Sequence, residues 1–124
     1  MDPLYNVSLV GGFDGKGKKY LGYIDQFGTL LEGDYLVAGM AHYFSKVLLS
    51  EFAKPDMTEA EAKRVLEECM RVLAYRDARA SESIQFCVIT SKGVVIEKPY
   101  EIKTMWTHKY FISETNEKIR SVMT

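Results

Sequence analysis

The chain has 124 residues, of which 47% are hydrophobic and 27% charged, a balance that fits one ordinary folded domain. A net charge of −1 offers no basic footprint for nucleic acid, and no apolar run approaches the ~18 residues that a membrane span requires. Two cysteines, Cys69 and Cys87, are too few for a disulfide scaffold and predict a reducing compartment.

The opening, MDPLYNVSLVGG, has neither a basic segment nor a long apolar core and does not read as a secretion signal, so the Asn6-Val7-Ser8 sequon carries no weight. Residues 5–13 (YNVSLVGGF) and 19–25 (KYLGYID) flank the turn-rich Asp14-Gly15-Lys16-Gly17 and predict a hairpin. A short third strand is expected at Thr29 to Leu31, punctuated by Gly28 and Gly33. From Asp34 to Ala53 the pattern turns helical, with Ala41, Phe44, Leu48 and Phe52 on one stripe, and Pro55 ends it. Thr58-Glu59-Ala60-Glu61 is a capping box that opens a second helix. That helix presents Ala62, Val65, Leu66, Cys69, Val72 and Leu73 as its apolar stripe. Glu59 with Lys63 and Glu67 with Arg71 are i,i+4 pairs in the favourable order. Strands follow at 84–90 (IQFCVIT) and 94–97 (VVIE), around Ser91-Lys92-Gly93, and a polar-aromatic tail follows Pro99.

The order is strands, two helices, strands, tail, which makes an α+β fold. Two helices cover one face of such a sheet, whereas VSLVGGF and IQFCVIT are apolar enough for burial on both. The pattern is therefore that of half a sandwich, or of a domain completed by a partner.

Chemical motifs are sparse. Gly12 to Lys18 matches G-x-x-x-x-G-K, but Lys19 stands where Ser or Thr must hold magnesium, and a strand follows instead of a helix. A hairpin loop is the better reading. Cys69, Cys87, His42 and His108 lack metal-ligand spacing, so no metal and no cofactor is expected. No G-x-S-x-G is present, and the helix entry AGMAHY carries Met40 in place of a nucleophile. The charged junction Arg76, Asp77 and Arg79, between the second helix and the next strand, has no catalytic partner from the sequence pattern alone.

The segments GGFDGKGKKYLGYIDQFG, AGMAHYFSKVLL and TEAEAKRVLEECMRVLAYRDARASESIQFCVITSKGVVIE resemble the C-terminal half of eukaryotic proteasome beta subunits. CMRVLAYRDAR, followed by a strand and a turn with KGV, is the most specific piece, and PLYN with a tail tryptophan points to the seventh beta-subunit type. The resemblance runs from residue 1 to about 113 and leaves residues 114–124 unplaced. It implies an N-terminal-nucleophile hydrolase fold, a four-layer αββα sandwich of which this chain carries the C-terminal half. Residues 1–100 would form the partial beta-type domain and 101–124 a C-terminal arm. Met1-Asp2-Pro3 would fall at an internal position of a full-length subunit.

In active members of the family the nucleophile is an N-terminal threonine whose own amine helps activate it. That residue has no counterpart at Met1 or Asp2. The supporting G-S-G-S motif falls on Gly39-Met40-Ala41-His42, and the supporting D-x-x-S on Asp77-Ala78-Arg79-Ala80. Met40 and Ala80 thus replace two serines while Asp77 persists, and a methionine neither accepts nor relays a proton. The resemblance implies a non-catalytic subunit that helps build the inner beta ring of the 20S core for ubiquitin-dependent degradation, in cytoplasm and nucleus. Its partners would be neighbouring beta subunits, alpha subunits of the adjacent ring and beta subunits of the opposite ring, with neither nucleic acid nor membrane. The arm, with Trp106, Tyr110 and Phe111, would reach that opposite ring. A free-standing dimeric binding module and a shortened, assembly-modulating paralogue are the alternative readings.

Overall fold

A computed structural model describes residues 5–107. The three-stranded antiparallel sheet, in the order β1-β2-β3, is formed by β1 (Ser8–Phe13), β2 (Lys19–Ile24) and β3 (Leu30–Glu32). Ser8 pairs with Ile24 and Phe13 with Lys19, which leaves Asp14 to Lys18 as the hairpin loop. Asp14 organises this loop: its carboxylate accepts from the amides of Lys16 and Lys18, both at 2.8 Å, while Gly17 takes φ +80°. These amides are engaged by the chain's own aspartate, so the loop does not present the phosphate cradle that its spacing resembles. Asp25 repeats the device between β2 and β3, accepting from Phe27 and Thr29.

The first helical region is shorter than expected and is divided. Residues 34–40 stay outside the helix, Gly39 turns the chain at φ +68°, and α1 spans Ala41–Phe44 before α2 takes Lys46–Phe52. The break falls on Ser45, 2% exposed, whose hydroxyl donates to the Cys69 carbonyl at 2.6 Å across to the next helix. Ser45 and Leu49 are the inward positions, and Phe52, assigned to the buried stripe from its spacing, is exposed.

Helix α3 (Glu59–Arg76) begins at the expected capping box: Glu61 N–H donates to Thr58 Oγ1 at 3.3 Å and Thr58 N–H to Glu61 Oε2 at 2.8 Å. Both expected ion pairs form, Lys63 to Glu59 at 2.6 Å and Arg71 to Glu67 at 2.7 Å. The helix has neighbours on two sides, which its single predicted stripe did not anticipate. Cys69 faces α1 and α2 through Ser45. Ala74, with Met70 beside it, joins Ile84 and Ile102 in a second apolar cluster. Leu66, placed on the stripe by its spacing, is instead exposed.

The expected strand 84–90 is split because the chain changes partners within it. β4 (Ser83–Ile84) pairs with β7 (Tyr100–Glu101), while β5 (Cys87–Thr90) pairs with β6 (Gly93–Ile96). Gln85 and Phe86 span the change, tied to Glu97 by Gln85 Nε2 to its carbonyl and by its own amide to Phe86 O, both at 2.9 Å. The boundary expected at residue 100 falls inside β7, and Ile102 beyond it is 3% exposed.

The core is small for so apolar a chain. Among the described residues the buried hydrophobic side chains are Leu49, Cys69, Ala74, Ile84 and Ile102. Leu9, Val10 and Phe13 on β1, Leu30 and Leu31 on β3, and Val94, Val95 and Ile96 on β6 are all exposed. Adjacent strand residues point to opposite faces, so exposure of Leu9 with Val10, and of Val94 with Val95, leaves apolar surface open on both sides of these strands. The mixture of helices and strands expected from the sequence is present as an α+β fold.

Candidate functional site

Met40 stands as the N-cap residue of α1, in helical geometry (φ −64°, ψ −24°) and with no side-chain cap hydrogen bond. It is half-buried, and its thioether supplies neither a proton donor nor an effective base. Local backbone bonds from His42 N–H to Gly39 O and from Tyr43 N–H to Met40 O set the turn that carries it.

Asp77 caps α3 at the other end of the candidate constellation. Its amide donates to Leu73 O at 2.8 Å, and its carboxylate accepts from Arg79 N–H at 3.0 Å and pairs with Arg79 Nε at 3.5 Å. Ala80 N–H then donates to Asp77 O at 2.9 Å, closing a turn that delivers the chain to β4. The aspartate is thus occupied with the helix-to-strand turn, and Ala80 contributes only a methyl group. Among the described residues no hydrogen bond joins Met40 to the Asp77–Ala80 turn.

Trp106 is positioned by its own domain. Its indole N–H donates to Glu82 Oε1 at 2.8 Å, and its ring meets Tyr75 edge-on with centroids 4.9 Å apart. It remains 47% exposed, so one side of the ring faces outward while the other is held. Tyr110 and Phe111, the other aromatics expected in an interface, lie outside the described residues.

Cys69 is buried, which pushes its thiol pKa up and makes it an inert core residue, and Cys87 lies exposed on β5. No group of histidine, cysteine, aspartate or glutamate suited to a metal ion occurs among the described residues. Two residues that organise this region were not singled out from sequence. Ser45 lay in a helical pattern with no local sign of its tertiary bond. Glu82 lay in an unremarkable ASESIQ run, yet gathers both Thr104 and Trp106.

An α+β chain with Met40 at a helix entry, Asp77 at the end of α3 and apolar strand surface left open is what the described residues present. Comparison with known proteins makes the class specific. The family described as "Proteasome subunit" matches residues 1–89, and the chain belongs to that family, whose domain has the N-terminal-nucleophile hydrolase fold. Three of its relatives carry the name "Proteasome subunit beta type-4". The Arabidopsis thaliana protein is 34% identical over 92% of this chain and 46% of its own length. The Xenopus laevis protein is 35% identical over 91% and 47%. The Drosophila melanogaster protein is 38% identical over 86% and 41%. Beta type-4 is another name for the seventh beta-subunit type, so these relatives agree with the subtype read from the sequence. The chain spans under half the length of the curated relatives it matches.

Proposed function

We propose that this chain serves as an architectural, non-catalytic part of the beta ring of a 20S proteasome, within a four-layer αββα domain of which it forms the C-terminal half. The observation that carries the proposal is similarity to beta type-4 relatives along about nine-tenths of the chain. The physical features point the same way. Apolar side chains on β1, β3 and β6 stand in water on an isolated chain and call for covering layers. Met40 and Ala80 remove the supporting hydroxyls that proton transfer would use, and Asp77 is committed to Arg79 and the turn. Neighbouring beta subunits, the alpha ring and the opposite beta ring are the partners of this reading, the last through the segment containing Trp106, Tyr110 and Phe111. Cytoplasm and nucleus are its compartments.

The test is affinity purification of the tagged chain from cells of its source organism, followed by identification of stoichiometric partners. The proposal expects alpha and beta proteasome subunits together. Recovery of the chain paired only with itself would refute it and support a free-standing dimeric module.

A further inference from the structure

Residues 100–107 form a strap laid along α3, and its attachments follow a regular plan. Glu67, Arg71 and Tyr75 lie one helical turn apart on α3. Glu67 accepts from the Tyr100 hydroxyl at 2.7 Å, Arg71 Nε donates to Lys103 O at 3.0 Å, and the Tyr75 hydroxyl accepts from Met105 N–H. The strap therefore runs in the direction of α3, gripped once per turn. Glu82 serves a second set of contacts. Its backbone carbonyl accepts from Ile102 N–H at 2.9 Å, and one carboxylate oxygen, Oε1, accepts from Thr104 Oγ1 at 2.7 Å and Trp106 Nε1 at 2.8 Å. Beneath the strap Ile102 is part of the core.

We infer that Glu82 is a latch: by gathering Thr104 and Trp106 on one carboxylate oxygen, it fixes residues 104–106, the last part of the strap, against α3. The division of labour is legible in the contacts. Ile102, buried and strand-paired at its neighbours, stays in place without the carboxylate. Residues 104–106 sit above the core, where the edge-on contact of Trp106 with Tyr75 is joined by hydrogen bonds, those to the ionised carboxylate being the strongest. Those bonds favour the charged carboxyl, and Glu82 accordingly titrates below its ordinary value, with Trp106 the larger cause and Thr104 the next. The latch is made wholly within the chain, so it stands apart from the ring-building reading and holds before any partner arrives.

Trp106 is the single tryptophan of the chain, so its fluorescence reports the latch directly. The experiment uses the full chain, with Glu82→Ala, Glu82→Gln and Thr104→Val compared by acrylamide quenching, emission wavelength and tryptic cleavage after Lys103. Glu82→Ala is expected to move the emission to the red, raise quenching about twofold and speed cleavage about tenfold, with the helical circular dichroism unchanged. Glu82→Gln keeps an acceptor oxygen and falls between the two, and Thr104→Val gives a smaller change of the same sign. Identical quenching and cleavage in all four proteins would overturn the inference. So would a wild-type Trp106 as accessible as free tryptophan amide, or loss of the helical signal in Glu82→Ala, which would make Glu82 a folding residue instead of a latch.

Discussion

Replacing Ser45 with alanine tests how the first helical region is fastened to α3. The wild-type hydroxyl is buried and donates to Cys69 O at 2.6 Å, while Cys69 Sγ approaches Ser45 O at 3.8 Å in return. Alanine fits the same space, so the change adds no overpacking and leaves only an oxygen-sized gap. The loss is then one neutral hydrogen bond, worth about 1 kcal/mol net, plus a fraction of the cost of a less satisfied buried carbonyl. Cys69 lies within α3 and keeps the helical environment of its carbonyl, which limits that second contribution. The sum is about 1–2 kcal/mol. For a unit of this size it corresponds to a fall of roughly 4–12 °C in Tm. Urea unfolding followed by far-ultraviolet circular dichroism is the assay, with the midpoint falling and the slope unchanged. Ser45→Thr separates the two contributions, because it keeps the hydroxyl but forces a methyl group into a close-packed site and destabilises by overpacking. A Ser45→Ala protein within about 0.3 kcal/mol of wild type, below even a weak hydrogen bond, would refute the assignment of Ser45 as the fastening point.

Other predictions follow from the same geometry. Thr58→Ala removes the cap of α3 and should cost about 1 kcal/mol, read as a lower urea midpoint. The partner carboxyl Glu61 titrates below its ordinary value near 4.5, chiefly because it accepts from the Thr58 amide and then the Thr58 hydroxyl. A depressed folded pKa means its contribution is fully present above that ordinary value and is lost as pH falls through the folded one. Acid titration of wild type against Glu61→Gln should therefore converge at low pH, and curves that stay parallel would contradict the box. Met40→Ser, alone or with Ala80→Ser, should yield no peptidase activity on fluorogenic peptides, because serines there supply supporting groups and not the nucleophile. New activity sensitive to inhibitors of N-terminal threonines would reverse the non-catalytic reading. Trp106→Ala should reduce pairing of beta rings on native gels while leaving the far-ultraviolet spectrum of the chain near wild type, and undiminished pairing would remove Trp106 from the interface.

What the sequence made legible was local. The β1–β2 hairpin, the capping box at Thr58 and the i,i+4 pairs of α3 depend on residues a few positions apart, and each is found where the spacing placed it. Errors arose where a distant residue decided the outcome. The helix is interrupted at Ser45, where the hydroxyl reaches Cys69, twenty-four residues away. The apolar run 84–90 divides because β7, beyond Pro99, claims its first residues while β6 claims its last. Ile102 was grouped with a polar tail, since nothing in its neighbourhood announces that the tail's first turn of chain closes the core. The candidate site was a different case. Met40, Asp77 and Ala80 carry no signal as individual residue types, and only the family pattern gave those positions meaning. The structure adds how Asp77 is employed, at a turn with Arg79.

The proposed function requires that this chain work as part of a large assembly and not alone. Size fractionation of native extract, with intact-mass analysis of the chain in its peak fraction, tests it most directly. The proposed function expects recovery in a very large particle together with alpha and beta proteasome subunits. Recovery as a small, soluble dimer would contradict it, and the family likeness would then describe ancestry instead of present work.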